Sequence, residues 1–124
     1  MAGKFVIENA KSGFHFNLVA GNGEVIASSQ VYTAKAGAKN GIESVRANCK
    51  APTEDQTVEG FAHEKLPKYE LFKDKAGEFR FRLKAANSEV IAASEGYTSK
   101  QGAQNGIESV KSNAPTAEIV DKTE

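Results

Sequence analysis

Three basic side chains alternate along one segment of the sequence. Arg80, Arg82 and Lys84 are two residues apart, and alternate residues of a strand project from the same face of a sheet. Cationic groups in such a row can contact the phosphates of a nucleic acid. The corresponding earlier segment carries His15 and Asn17 instead. A solvated strand face is therefore the favoured interpretation, and nucleic-acid binding through the three basic residues is the alternative.

Further candidate binding residues lie on two segments with helical periodicity. Asn40 and Glu43 recur as Asn105 and Glu108 in the same local context, Asn-Gly-Ile-Glu-Ser-Val. Amide and carboxylate groups can recognise a ligand by hydrogen bonding, but polar residues also form the solvated flank of an amphipathic helix. The solvated flank is the favoured interpretation, and recognition stays open as the sharper hypothesis.

The residue types needed for common catalytic and metal sites are scarce. His15 and His63 are the only histidines, and the second-repeat counterpart of His15 is Arg80. HExxH, CxxC and EF-hand patterns do not occur, nor does a glycine-rich phosphate loop between a strand and a helix. Cys49 has no partner cysteine and no evident activating group. We expect no catalytic residue, no metal site and no cofactor.

The elements that must position these residues are copied within the chain. Residues 14–48 return as residues 79–113 without a gap. About two-thirds of the aligned positions are identical, and a period this long indicates a duplicated structural unit rather than a solenoid. Agreement between the copies reflects either recent duplication or a shared constraint, and the sequence alone does not separate the two.

Each copy predicts three strands followed by a helix. Apolar residues alternate with polar residues in the first copy over 14–20, and the turn at Asn22-Gly23 predicts a type I′ hairpin. The predicted strands cover residues 4–8, 14–20 and 24–29, then 69–72, 79–85 and 89–94. We expect Thr33 and Thr98 to begin the helices and the second helix to end near Asn113.

Short strands are also predicted after each helix, at residues 57–59 and 118–120. Within the helices, glycines occur at corresponding positions, Gly37 and Gly41 in the first and Gly102 and Gly106 in the second. Glycine inside an element most often marks close backbone packing, so we expect close contact with the sheet in preference to a ligand surface.

Composition places the chain among ordinary globular proteins. It has 124 residues, zero formal net charge, 40% hydrophobic and 26% charged residues. A single cysteine excludes an intramolecular disulfide and favours a reducing compartment. The sequence shows neither a secretory signal pattern nor an apolar run long enough to span a bilayer. We expect a cytoplasmic location and no membrane partner.

The repeated residues resemble a known family. The pattern Phe-x-Phe-x-Leu, then Ala-x-Asn-x-Glu-x-Ile-x-x-Ser, then Tyr-Thr and Asn-Gly-Ile-Glu-Ser-Val is similar to that of the YegP-like small bacterial proteins, whose function is unknown. The resemblance covers both repeats. It implies tandem units whose last strands are exchanged, and it implies no activity.

We therefore predict one α+β domain over residues 1–124, with an antiparallel sheet packed by two helices. It contains two β-β-β-α-β repeats, at residues 4–61 and 68–121, related as an internal pseudo-dimer. A half-length unit buries too little surface to be stable alone. We expect a monomer, with further dimerisation left open, that acts as a non-enzymatic binding or interaction module. The second alternative is an enzyme with its site at the repeat interface.

Overall fold

A computed structural model describes residues 3–123 as one eight-stranded sheet with two helices packed on one of its faces. The strands are β1 Lys4–Ala10, β2 Gly13–Val19, β3 Val25–Ser28, β4 Thr53–Asp55, β5 Lys68–Lys73, β6 Phe79–Lys84, β7 Val90–Ala93 and β8 Glu118–Asp121. The helices are α1 Lys35–Asn48 and α2 Lys100–Asn113. The β-β-β-α-β order predicted for each repeat is confirmed.

The two repeats exchange their last strands. The spatial order is β4-β5-β6-β7-β3-β2-β1-β8, so β4 of repeat 1 lies beside β5 of repeat 2, and β8 of repeat 2 lies beside β1 of repeat 1. Both exchanged strands pair in parallel, while the six central strands are antiparallel. The sheet is therefore mixed, not antiparallel throughout as predicted, and each outer edge is closed by a strand from the other repeat.

The sheet halves meet at a narrow junction in the centre. Strands β3 and β7 join through one residue pair, Ser28 opposite Ala93. These two positions correspond at the repeat offset of 65 residues, so the junction lies at the centre of the pseudo-two-fold arrangement. Because so little backbone pairing holds the halves together, their association depends on the shared core and the exchanged strands.

The hydrophobic core is continuous across both repeats. Alternating residues of the strands, such as Phe16 and Phe81, are at most 1% exposed, and they pack with the helix residues Ile42 and Ile107 in a single cluster. Tyr69 is fully buried in it, and its hydroxyl donates a hydrogen bond of 2.8 Å to the carbonyl of Cys49. The core therefore joins residues that are far apart in the sequence.

Both helices begin one or two residues later than predicted. The residue that precedes α1 is Ala34, which makes no side-chain capping bond, and the residue that precedes α2 is Ser99, whose hydroxyl accepts from the Gly102 N–H at 3.0 Å. Thr33 and Thr98 are wrong as N-caps. Their neighbours Tyr32 and Tyr97 still pair by their backbones with Phe14 of β2 and Phe79 of β6.

The strand predicted at residues 57–59 is wrong, because β4 ends at Asp55. The Asp55 carboxylate accepts hydrogen bonds from both the N–H and the hydroxyl of Thr57, at 2.9 and 2.5 Å, which turns the chain away from the sheet. Glu54, only 1% exposed, fixes the segment between β4 and β5, because Lys68, Gln56 and the Glu64 N–H all donate hydrogen bonds to its carboxylate. The hydrogen bond from Lys68 is the largest cause that lowers the pKa of Glu54 to about 2.

The predicted type I′ turn at Asn22-Gly23 is also wrong. Gly23 alone has a positive φ, of 88°, whereas a type I′ turn needs two such residues. The Gly23 N–H donates to the Ala20 carbonyl, and the Ala20 N–H donates to the Glu24 carbonyl. The connection is thus a three-residue loop that ends in a left-handed glycine, and Ser88 takes the same role in repeat 2 with φ of 66°.

Neither helix within residues 3–123 is long and apolar enough to cross a lipid bilayer.

Candidate functional site

The predicted basic stripe lies on the face of the sheet opposite the helices, where all three cations are paired with acidic side chains. Arg80 Nε lies 2.6 Å from Asp74 Oδ2, and Arg82 Nε lies 2.5 Å from Glu70 Oε1. Lys84 Nζ is 3.2 Å from the same Glu70 oxygen. Burial would raise the pKa of Glu70, but the bonds to Arg82 and Lys84 outweigh it and the pKa is lowered. The three cations therefore form part of an ion-pair network.

The four polar helix residues separate into two groups. Glu43 and Glu108 pair along their own helices, with Arg46 at 2.8 Å and Lys111 at 3.7 Å. Asn40 and Asn105 instead line two cavities between a helix and the sheet. Asn105 and Glu108 also line a third cavity of about 270 Å³, but the structure does not bring all four residues into one site.

These two cavities are built from equivalent residues. Pocket I, beside α1, has a volume of about 280 Å³ and is lined by Tyr32, Gly37, Asn40, Gly41, Ser44, Ala85, Asn87, Glu89 and Ile91. Pocket II, beside α2, has a volume of about 240 Å³ and is lined by Ala20, Asn22, Glu24, Ile26, Tyr97, Gly102, Asn105, Gly106 and Ser109. All nine residues correspond at the offset of 65, and all nine are identical in type.

Each pocket needs both repeats. The helix and the tyrosine come from one repeat, whereas the β2–β3 hairpin, or its counterpart between β6 and β7, comes from the other. In pocket I, for example, Tyr32 and Asn40 of repeat 1 face Asn87 and Glu89 of repeat 2. A single repeat would therefore lack half of each pocket.

The tyrosine of each pocket is fixed between the sheet and the helix. Tyr32 pairs by its backbone with Phe14 and stacks on the ring of Phe16, with the centroids 6.4 Å apart and the planes at 11°. A Cβ placed on Gly41 would lie 2.5 Å from the Tyr32 hydroxyl oxygen. The glycine is therefore required for the close packing of the ring, which confirms the packing interpretation of the repeated glycines.

Pocket II repeats this arrangement closely. Tyr97 stacks on Phe81 at 6.4 Å and 16°. A Cβ on Gly106 would lie 2.7 Å from both the Tyr97 hydroxyl oxygen and Cε2 of Phe81. The helix glycines thus set the depth of both pockets as well as the position of the rings.

The hairpins place one carboxylate at each pocket. Asn22 Oδ1 accepts the Glu24 N–H at 3.0 Å, and Asn87 Oδ1 accepts the Glu89 N–H at the same distance. This local turn fixes the backbone from which each glutamate projects. Asn22 and Asn87 therefore hold turns, although not the predicted type I′ turn, and they line the pockets as well.

The pocket tyrosines are neutral hydrogen-bonding groups near neutral pH. Burial is the largest cause that raises the pKa of both Tyr32 and Tyr97. Glu89 raises the pKa of Tyr32 further, and a hydrogen bond with Gln30 partly opposes this. Glu24 and Glu95 both add to the rise at Tyr97. The pockets thus combine a phenol, an amide, a hydroxyl and a carboxylate.

The lining groups of both pockets can form hydrogen bonds. Their polar members are tyrosine, asparagine, serine and glutamate. Within residues 3–123, no group of three or more His, Cys, Asp or Glu residues is placed to hold a metal ion. Hydrogen bonding to a small polar molecule is the chemistry that the residues can supply.

The sequence contains a signal for these pockets in its copied polar residues. Asn22, Tyr32 and Asn40 each have a local explanation, and Glu24 and Ser44 are copied as well. All five residues have the same type in both repeats, and all lie at exposed or half-exposed positions. They come together only because each hairpin faces the helix of the other repeat, and no local sequence pattern predicts that contact.

A wider groove of about 620 Å³ lies over the junction of β3 and β7. Its walls include Val25 and Val90, and its polar serines are already engaged. Ser29 Oγ accepts the Phe16 N–H at 2.9 Å, and Ser94 Oγ accepts the equivalent Phe81 N–H at 3.0 Å. The repeated serines therefore maintain the strands rather than offer free groups.

Known proteins are similar to this chain in both sequence and fold. A family model described as a domain of unknown function (DUF1508) matches twice, at residues 9–55 and 74–121. UPF0339 protein YegP of Yersinia pestis is 44% identical over 122 residues, covering 98% of this chain and 96% of that protein. A UPF0339 protein of Acinetobacter baylyi is 43% identical, covering 99% of each chain.

Two solution NMR structures extend the similarity to three dimensions. YegP of E. coli, described as a protein of unknown function, is 37% identical with a TM-score of 0.81, covering 99% of this chain and 95% of that one. UPF0339 protein SO3888 of Shewanella oneidensis is 39% identical with a TM-score of 0.80, covering 99% and 93%. No enzymatic activity is indicated for these relatives. The chain belongs to the YegP-like UPF0339 family, as a tandem-repeat member of unknown function.

Proposed function

We propose that this protein is a non-enzymatic binding module that takes small polar ligands in pockets I and II. The observation that carries the proposal is the identity of all nine lining residues between the two pockets. Only 22 of the 35 aligned positions of the repeats are identical. Neighbours that line neither pocket do change, such as Lys39 to Gln104 and Arg46 to Lys111, so simple copying is an insufficient explanation for the pockets.

The size and polarity of the pockets limit the ligand. Volumes of 240 and 280 Å³ are just below the range of about 300–1,000 Å³ typical of ligand sites. A small molecule, or one polar side chain of a protein partner, fits this space. Asn40 makes no side-chain hydrogen bond within residues 3–123, and Asn105 uses only its oxygen, which accepts from Gln101 at 2.9 Å. Amide donors are therefore free to meet an acceptor on the ligand.

NMR spectroscopy of the whole protein tests the proposal. A library of small polar fragments should shift the backbone amide signals of Gly41 and Gly106 together. The double variant Asn40→Ala/Asn105→Ala should reduce these shifts at least several-fold, because each alanine removes a hydrogen-bonding group. The matched control is Glu43→Gln/Glu108→Gln, on the same helices outside the pockets, and it should respond as the wild type does. Equal binding by the wild type and the Asn double variant would refute the proposal.

The absence of activity is part of the proposal and needs its own test. Screens with broad hydrolase and transferase substrates should show no turnover by the purified protein. Turnover that is lost on substitution of Tyr32 and Tyr97 would instead favour the alternative of an enzyme at the repeat interface.

Nucleic-acid binding remains the other alternative, but the ion pairs of Arg80, Arg82 and Lys84 oppose it. It requires binding that weakens steeply with salt and that Arg82→Glu reduces. Binding of RNA and DNA at low salt tests it directly.

We further propose a cytoplasmic monomer. The single Cys49 is buried, and burial raises its pKa, so its thiol suits a reducing compartment without taking part in chemistry. The shared core already supplies the association that two separate single-repeat subunits would need. Sedimentation at micromolar concentration should give the mass of one chain, and a stable dimer would contradict this.

A further inference from the structure

Each pocket contains one carboxylate among neutral polar groups. Glu89 lines pocket I together with Tyr32, Asn40 and Ser44, and the same four residue types line pocket II. The other five members of each lining are an asparagine, two glycines, an alanine and an isoleucine. The glutamate is therefore the charged member of the nine lining residues, and each lining carries one formal negative charge.

The hairpin asparagine beside each glutamate holds that carboxylate. Asn87 Nδ2 donates to Glu89 Oε2 at 3.1 Å, and Asn22 Nδ2 donates to Glu24 Oε2 at 3.4 Å. In both hairpins the asparagine oxygen also accepts the glutamate N–H. The two bonds close a local ring that restricts the glutamate side chain, so the carboxylate loses less conformational entropy when it binds a donor.

Neither carboxylate has a cation as its partner. Within residues 3–123, neither Glu24 nor Glu89 takes part in a salt bridge. Glu89 Oε1 accepts a hydrogen bond of 3.2 Å from the neutral amide of Gln30, which joins the end of β3 to the opposite hairpin. A carboxylate has about four acceptor sites, so both glutamates can still accept bonds from a ligand, and Glu24 has one more free site than Glu89.

The helix on the other side of each pocket supplies a donor. The amide nitrogens of Asn40 and Asn105 are free to donate, since the one bond to Asn105 is that from Gln101 to its oxygen. Each pocket thus has an acceptor with a negative charge on its hairpin side and a neutral donor on its helix side. A ligand that fits both sides carries a cationic donor and an acceptor oxygen close to it.

We propose that pockets I and II bind small primary amines that carry a hydroxyl or carbonyl oxygen close to the nitrogen. The ammonium group donates to Glu89 or Glu24, and the oxygen accepts from Asn40 or Asn105. Pocket II is the tighter site, because the Gln30 amide competes for the carboxylate of pocket I alone. The inference rests on the proposed function, since it names the ligand class of the same two pockets.

Ethanolamine and ethylene glycol are matched probes, because an ammonium group in the first replaces a hydroxyl in the second. Each is titrated at pH 7 and constant ionic strength, and the amide signals of Gly106 and Gly41 report pockets II and I. Ethanolamine should bind at about millimolar concentration, about fivefold more tightly than ethylene glycol. Glu24→Gln should remove this preference at pocket II and leave pocket I unchanged, and Glu89→Gln should do the reverse.

Controls separate a bound amine from general attraction. Glu43→Gln/Glu108→Gln removes two negative charges outside pockets I and II, and it should leave both affinities unchanged. Equal affinity for the two probes, or a Glu24→Gln variant that loses ethanolamine binding equally at both pockets or at neither, would overturn the amine inference. If ethylene glycol shifts both signals in that case, the proposed function stands. If neither probe shifts a signal, the amine inference fails, and the fragment library with Asn40→Ala/Asn105→Ala decides the proposed function.

Discussion

The buried hydroxyl of Tyr69 allows a stability prediction without a change in packing. It donates to the Cys49 carbonyl at 2.8 Å, and both residues are at most 1% exposed. Phe5 holds the equivalent place in repeat 1, opposite Leu18 as Tyr69 is opposite Leu83, so a phenylalanine fits this environment. Tyr69→Phe therefore removes one hydrogen bond and leaves a buried carbonyl unpaired, with little loss of volume.

The expected cost follows from that unpaired group. An unsatisfied buried acceptor costs about 1–3 kcal/mol. The phenylalanine recovers a small part through its greater hydrophobicity, so we expect the free energy of unfolding to fall by about 1–2 kcal/mol. Urea denaturation should show a lower midpoint with an unchanged slope, because the surface exposed on unfolding is the same.

Tyr97→Phe is the matched control. Its ring is also packed, on Phe81, but its hydroxyl makes no hydrogen bond to any group within residues 3–123. We expect a change within about 0.5 kcal/mol, as for substitutions that break no specific interaction. Equal losses in Tyr69→Phe and Tyr97→Phe would refute the reasoning, because the hydrogen bond would then not be the cause.

Three further outcomes are expected. Burial raises the pKa of Tyr69 above its ordinary 10.0, so above pH 10 the folded state keeps a proton that the unfolded state loses. The free energy of unfolding should therefore fall above pH 10 by about 1.4 kcal/mol per pH unit. In urea titrations at alkaline pH, Tyr69→Phe should flatten this slope. The pKa of Glu54 is lowered from 4.5 to about 2, so stability present above pH 4.5 should be lost as the pH falls towards 2, and an unchanged acid limb in Glu54→Gln would contradict this. Residues 1–50 expressed alone should show no cooperative unfolding by circular dichroism, because their strands and helix share one core with repeat 2; a stable monomeric fold would contradict the shared core.

Most strands and the buried faces of the helices could be predicted from the sequence because residue periodicity determines them. Period-two alternation predicted β2 and β6. The apolar stripe Ala34, Ala38, Ile42 and Val45 predicted the buried side of α1; its last three residues are at most 1% exposed, whereas Ala34 is exposed and precedes the helix. The strand at residues 57–59 was placed wrongly because the Asp55 to Thr57 hydrogen bonds turn the chain. Side-chain bonding of this kind competes with strand formation and leaves no periodic signal.

The candidate site was harder to predict because it is not local. The candidates Asn40 and Asn105 do line pockets I and II, whereas Arg80, Arg82 and Lys84 are ion-paired with Asp74 and Glu70. Alternation fixes which face a strand residue takes, whereas the charge partner depends on the neighbouring strand and its register. A row of basic residues in the sequence therefore does not show whether acidic side chains pair with it in the folded protein.

The sequence by itself determined that this protein is duplicated and where most of its strands and both helices lie, and it predicts that one copy is too small to stand alone. Those properties depend on composition and on periods of two and 3.6 residues. Only the tertiary structure decided that the hairpin carrying Glu24 faces Tyr97 of the other repeat, and that Gln30 reaches Glu89. These contacts form after strand exchange brings distant segments together, and their free energy depends on distances that no local pattern encodes.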